Sequence, residues 1–135
     1  MVDHPLDRKN LPQNFHHIRL ELAREEGRPG GDAEHGYDIV APLTPDRHID
    51  ATSAYLEHKQ ACRVRRFRPG EPDAIGLLRH GPGGRWYIDY DEDRSTDDES
   101  GFRFGDERFE LGEYVSIRED DGVMHTFKVT RVETL

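Results

Sequence analysis

Three aspartates at alternate positions, Asp89, Asp91 and Asp93, have the residue type and the spacing to bind a cation. Alternate carboxylates of this kind begin a calcium loop, in which hard oxygen ligands converge on one ion. If Asp89 is position one, an EF-hand requires glycine and glutamate where this chain has Arg94 and Ser100. The pattern therefore does not match an EF-hand at two positions, and it leaves three hypotheses: a different calcium or magnesium site, an acidic docking surface, or a solvated acidic loop.

The acidic loop, residues 89–99, is thus the first hypothesis for a divalent-metal or small-ligand site. An enzyme built on it would need the fold to bring one of its aspartates close to a histidine such as His80 or His125, around a concave pocket. No resident cofactor is predicted beyond this calcium or magnesium alternative.

A second group of interest is a set of arginines around Phe67, namely Arg63, Arg65, Arg66 and Arg68. Arginine binds phosphate oxygens bidentately and an aromatic ring can stack on a base, so RNA or nucleotide binding is one hypothesis. In a strand, however, Arg63 and Arg65 would share the face of Phe67, and Arg66 and Arg68 would lie on the other face. This split favours ion pairs with the protein's own carboxylates.

Neither the lone cysteine nor the histidines complete a catalytic set. His58 and Cys62 are four residues apart, a minimal nucleophile and base, but no third group that would orient them can be named. The chain has eight histidines, and their spacing matches no zinc motif. The sequence therefore predicts a binding protein rather than an enzyme.

The charge balance limits the classes of partner. Lys and Arg number 19 against 28 Asp and Glu, a formal net charge of -9. Such a chain lacks the excess positive charge that general nucleic-acid or anionic-membrane binding draws on. One cysteine cannot form an intrachain disulfide, and the first residues contain no apolar signal core. We expect a cytoplasmic protein with no membrane span and an unidentified protein partner.

The elements that must position these residues are mostly strands. Residues 15–24 and 86–91 alternate apolar and polar side chains, which is the period of a half-buried strand. Residues 100–104 follow the acidic loop and contain two aromatic residues two positions apart, so we predict that a second strand returns there. Residues 25–36 are predicted to form a loop, and residues 51–61, which Asp50 could cap, are predicted to form the one short helix.

The C-terminal hairpin can be predicted in register. A two-residue turn would pair apolar with polar positions, whereas a three-residue turn, 120–122, pairs Val115 with Phe127 and Ile117 with His125. This turn needs Gly122 in the left-handed conformation, because a type I turn followed by a glycine bulge ends in that way.

Two segments resemble known proteins. The phrase FELGEYVSI at 109–117 resembles the entry to a strand in many small β-barrels, including SH3-like and OB-like modules. Residues 63–71 and 112–121 also resemble a group of small uncharacterised bacterial proteins, and this resemblance implies no activity.

Together these patterns predict a mainly β, α+β fold: a bent antiparallel sheet or partly open small barrel, SH3-like or OB-like in character, with one short helix. Residues 1–14 are predicted to be an N-terminal arm and 15–135 a single β-rich domain. The expected function is a non-catalytic binding or interaction module. The acidic loop 89–99 and the arginines of 63–68 supply the two alternatives.

Overall fold

The protein is mainly β. The computed structural model describes residues 11–25, 27, 29–91, 99–101 and 104–135. Within these residues, eight antiparallel strands follow in chain order: β1 (Phe15–Leu22), β2 (Asp32–Pro42), β3 (Arg63–Arg68), β4 (Glu71–His80), β5 (Trp86–Tyr90), β6 (Glu99–Gly101), β7 (Tyr114–Arg118) and β8 (Met124–Thr134). The predicted mainly β fold class is confirmed.

Each strand pairs with its neighbours in the chain, and the last pairs with the first. In β1, Ile18 lies opposite Ile39 of β2 on one side and opposite Val132 of β8 on the other. The sheet therefore curls into a small barrel. Its thinnest seam is between β6 and β7, where the described pairing is limited to Ser100 opposite Arg118.

The core fills the inside of the barrel. In β1, the alternate residues Ile18, Leu20 and Leu22 are buried, as their period predicts. Aromatic side chains supply much of the remaining volume; those almost fully buried are Phe15, Tyr37, Tyr55, Trp86, Phe104, Phe109 and Phe127. Burial of each large apolar side chain contributes about 1.5–3 kcal/mol, so these rings compensate for a sequence with few aliphatic residues.

The helical segment is shorter than predicted. Residues 51–61 do not form one helix: α1 spans Ser53–Leu56, and a separate 3-10 turn spans Lys59–Ala61. Tyr55 is the only buried residue of α1, so the segment has no apolar stripe that tertiary packing could extend into a longer helix. The predicted cap is also wrong, because Thr52 is the N-cap residue and Asp50 accepts the Thr52 amide instead. Among the described residues, no helix has the length and apolar character needed to cross a membrane.

Strand β2 begins inside the region predicted to be a loop. Residues 32–36 belong to the strand rather than to a 25–36 loop. Gly36 makes this extension feasible, since a Cβ atom there would lie 1.9 Å from the Leu20 carbonyl oxygen and 2.9 Å from the Phe67 ring. A glycine that we read as a loop signal is therefore required by close packing between neighbouring strands.

The chain returns beside β5 after the acidic loop, as predicted. Tyr87 of β5 pairs with Ser100, and the returning strand in the described residues is Glu99–Gly101. Phe102 and Arg103 lie outside the described residues, and Phe104 is fully buried against Phe109 at an edge-to-face angle of 84°. The N-terminal arm, 1–14, is described only from residue 11, and Leu11 packs against the core.

The C-terminal hairpin has the predicted register. Val115 lies opposite Phe127 and Ile117 opposite His125, and Gly122 has φ 77°. The Gly122 amide donates to the Glu119 carbonyl oxygen over 2.9 Å, which closes the three-residue turn.

Replacing Gly122 tests this turn. No atom lies within 4 Å of the position of an added Cβ, so the penalty for a side chain comes from the positive φ alone. Gly122→Val should lower the free energy of unfolding by about 1–2 kcal/mol, measured by urea denaturation. Gly122→Asn is the matched control and should cost less, because asparagine tolerates the left-handed region. Equal losses for the two variants would contradict the turn assignment.

Candidate functional site

The four arginines of β3 lie on two faces of the barrel, as the strand period predicted. Arg66 and Arg68 point inward and are nearly buried, with 13% and 12% of their side chains exposed. Arg63 and Arg65 are on the outer face, with 42% and 44% exposed. The structure therefore does not assemble them into one basic strip.

On the outer face, the arginine contacts are internal to the protein. The Arg65 Nε atom donates to Asp38 over 3.0 Å, and its NH1 group donates to Asp73 over 3.0 Å. The Phe67 ring is covered by Arg19, whose Cζ lies 4.3 Å from the ring centroid, and by Arg65 at 5.4 Å. A ring flanked by two guanidinium groups is not free to stack on a base.

Asp89 and Asp91 face solvent and are each close to an arginine. Asp89 lies 3.6 Å from Arg79, and Asp91 lies 3.8 Å from Arg63. Neither approaches His80, which stacks on Trp86 at the other end of β5 with ring centroids 4.2 Å apart. Over the residues that the structure describes, no three His, Cys, Asp or Glu side chains are grouped so that they could hold a metal ion.

Asp93 lies outside the described residues, as does most of the acidic loop. The metal hypothesis for Asp89, Asp91 and Asp93 therefore stays a prediction.

The Cys62 thiol is poorly suited to nucleophilic chemistry. Cys62 is fully buried, and burial raises its pKa to about 12. Its sulfur contacts the carbonyl oxygen of His58, 3.7 Å away. At neutral pH the thiol is protonated, whereas a nucleophilic cysteine acts as the thiolate.

A cluster of charged and polar side chains lies at the end of the barrel where β3 ends and β8 begins. We call it the mouth cluster; it consists of Glu119, His35, Tyr37, Arg68 and His125. The Glu119 carboxylate accepts hydrogen bonds from the Tyr37 hydroxyl (2.5 Å), from Arg68 NH2 (3.1 Å) and from His35 Nε2 (3.1 Å). His125 Nε2 lies 3.6 Å from Glu119. Three strands, β2, β3 and β8, and the β7–β8 turn are therefore joined around one carboxylate.

Glu119 is ionised although only 4% of the residue is exposed. Burial by itself raises the pKa of a carboxyl group, but hydrogen bonds from His35 and Tyr37 and the positive charge of Arg68 outweigh burial. The pKa of Glu119 is held at about 2, against an ordinary value of 4.5.

His125 is surrounded by carboxylates. Its Nδ1 atom lies 3.1 Å from Glu25, and its Nε2 atom lies 2.9 Å from Asp121. Burial lowers the pKa of His125, but the hydrogen bonds to Asp121 and Glu25, together with the charge of Glu119, have the larger combined effect and raise it. The imidazolium form is therefore favoured at the mouth.

Glu119 was not predicted as a site residue, although the sequence pattern contained a signal for it. In the predicted hairpin, Val115 and Ile117 face the core, and the same period of two places Glu119 on their face. Arg66 and Arg68 were likewise predicted to share the face of Val64. What the pattern did not show is that these inward charges lie at one end of the barrel, because that depends on the order in which the strands pair.

The outer surface carries a groove of about 770 Å³. Its floor is the outer face of β1, β7 and β8, with Glu21, Tyr114, Thr126 and Lys128 among the lining residues. The other wall is formed by Ala23, Arg24 and Gly30, which lie between β1 and β2, and by Asp32 and Ala33 at the start of β2.

Comparison of the chain with protein-family models, with curated proteins and with solved structures found no match.

Glu119→Gln tests the charge at the mouth. A carboxylate with a lowered folded pKa stabilises the protein above its unfolded pKa, and the stabilisation is lost as pH falls through the folded pKa. At pH 7 the wild type should exceed Glu119→Gln by on the order of 3 kcal/mol in free energy of unfolding. The difference should shrink between pH 4.5 and about 2, measured by urea denaturation across that range.

Glu113→Gln is the control, because Glu113 is exposed just before β7. It should change the free energy of unfolding by less than about 0.5 kcal/mol. A wild-type advantage over Glu119→Gln that is independent of pH would contradict an ionised Glu119.

His125 should produce the opposite pH dependence. Its pKa is raised above 6.5, so its stabilising effect is complete below pH 6.5 and is lost as pH rises through the folded pKa. The wild type should therefore lose its advantage over His125→Gln in free energy of unfolding as the pH is raised. An advantage that grows with pH would show that His125 is buried in its neutral form.

Proposed function

We propose that the protein is a non-catalytic binding module and that its ligand contacts the groove over β1, β7 and β8. The groove itself is the observation that carries this proposal. Its volume of about 770 Å³ falls in the range of small-molecule sites, roughly 300–1,000 Å³.

Tyr114 offers the groove an exposed aromatic ring on a paired strand. It is 57% exposed, although it belongs to β7 and lies opposite Lys128 in the pairing with β8. A large aromatic ring on a paired strand offers contact area at little cost in conformational entropy. Part of the opposite wall is loop, and loops on a rigid scaffold commonly carry binding residues.

Binding is favoured over catalysis by the state of the reactive groups. Cys62 is buried with a pKa of about 12, and Glu119 is ionised with its oxygens engaged by Tyr37, Arg68 and His35. Groups so engaged are poor candidates for proton transfer or covalent catalysis, because both require a group that can change its state near neutral pH.

The two alternatives rest on weaker support. Each of Arg63, Arg65, Arg66 and Arg68 lies within 4 Å of a carboxylate of this chain, which reduces its attraction for RNA. For the acidic loop, Asp89 and Asp91 supply exposed carboxylates, and the remaining ligands would have to come from residues 92–98.

A fragment screen followed by protein-observed NMR tests the binding proposal. Neutral aromatic fragments should shift the amide resonances of β1, β7 and β8. Tyr114→Ala should weaken their binding about three- to tenfold, the expected effect of removing an aromatic contact.

The matched control is Leu56→Ala in α1, because Leu56 is also 57% exposed but lies away from the groove. It should leave the affinities unchanged. Shifts confined to other surfaces, or equal losses in the two variants, would refute a role for the groove.

A further inference from the structure

We infer that the groove accepts an organic anion, with its carboxylate or phosphate group near Lys128 and Arg24 and its apolar body against Tyr114. This inference rests on the proposed binding function and assigns the chemical class of the ligand.

The two cations of the groove have no acidic partner among the residues that the structure describes. Lys128 and Arg24 are both exposed and both line the groove. In contrast, arginines elsewhere on the outer surface, such as Arg65 and Arg79, lie close to carboxylates. Although the chain has a net charge of -9, two cations without a carboxylate partner in the described chain line the same groove.

The carboxylates beside these cations are engaged elsewhere. Glu21 lies opposite Lys128 in the β1–β8 pairing, yet its Oε2 atom accepts a hydrogen bond from Arg19 Nε over 2.8 Å. Asp32, at the other wall, accepts the Glu34 amide with Oδ1 over 2.9 Å. Because the Glu21 carboxylate is hydrogen-bonded to Arg19 and forms no ion pair with Lys128, the ammonium group of Lys128 can attract an external anion.

The strand register places an aromatic ring and neutral groups beside the Lys128 ammonium. Tyr114 lies directly opposite Lys128 across β7 and β8, a position that brings side chains within about 4.5–5.5 Å at Cβ. Thr126, two residues before Lys128, is on the same outer face and lines the groove. Ala23 and Ala33 add small apolar surface. An aromatic ring bearing an anionic group matches this arrangement.

A titration with benzoate, phenyl phosphate and benzamide tests this inference on the full chain at low salt, with affinities measured from amide shifts. Benzoate and benzamide have nearly the same shape and differ in charge. Benzoate should bind about two- to fivefold more tightly than benzamide, the range expected for a solvent-exposed ion pair. Added salt should weaken the binding of benzoate and leave the affinity for benzamide unchanged. Comparison of benzoate with phenyl phosphate shows which anionic group is preferred.

Lys128→Gln should remove the preference for benzoate and keep the affinity for benzamide. Lys59→Gln is the matched control, because Lys59 is an exposed lysine of the 3-10 turn that also has no carboxylate partner in the described chain. It should retain the preference. Amide spectra of both variants would confirm that they fold.

The outcomes separate the two proposals. If benzoate and benzamide bind the groove equally in the wild type, the anion inference is wrong and the binding function stands. If Lys59→Gln abolishes the preference as Lys128→Gln does, the anion inference is also wrong. If none of the three compounds shifts the groove amides, the proposed function itself fails.

Discussion

Strand β1 pairs on both of its edges, and the rest of the structure depends on this double pairing. With β2 on one side and β8 on the other, it joins the first third of the chain to its last residues. Backbone groups at both edges are thereby satisfied, and the alternate residues Ile18, Leu20 and Leu22 are enclosed. A chain with few aliphatic residues can form a core in this way, because a closed sheet buries one face of every strand.

Closure has a consequence at the mouth, where inward positions are occupied by charged residues. Charges inside a small barrel are costly unless they are paired and hydrogen-bonded. Glu119 meets this requirement through Tyr37, Arg68 and His35, and Asp120 accepts from Arg68 over 3.1 Å. These contacts join β2 and β3 to the β7–β8 turn. Ion pairs and hydrogen bonds therefore hold the strands together at this end of the barrel, whereas apolar side chains pack in its interior.

The outer groove is a second consequence of how β1 ends. The chain leaves β1 at Leu22 and begins β2 at Asp32, and Ala23, Arg24 and Gly30 of the connecting segment line the groove together with Lys128 and Tyr114. The groove therefore has a floor with fixed register and a wall that is partly loop. Its lining carries as many cations, Arg24 and Lys128, as carboxylates, Glu21 and Asp32, whereas the whole chain is strongly acidic. Glu21 is hydrogen-bonded to Arg19, and Lys128 has no carboxylate partner in the described chain.

The local sequence pattern was sufficient for the elements with clear side-chain alternation or a well-defined turn sequence. It predicted β1 and β5 from the alternation of their side chains. It also predicted the register of the C-terminal hairpin, including the turn at Gly122, because one turn length pairs the apolar residues of the two strands with each other. The pattern failed where tertiary packing determines the secondary structure. Gly36 belongs to a strand because β1 and β3 approach it closely. Residues 51–61 lack the packing that would stabilise a longer helix.

For the candidate site, the sequence by itself determined which residues share a face of a strand. It placed Arg66 and Arg68 opposite to Arg63 and Arg65, and the same period places Glu119 inward. Only the tertiary structure decided which of these faces meet. His35 and Glu119 are 84 residues apart, yet a hydrogen bond joins them. The physical reason is that strand periodicity is a local property of the chain, whereas the juxtaposition of distant charges depends on the order and register of pairing around the closed sheet.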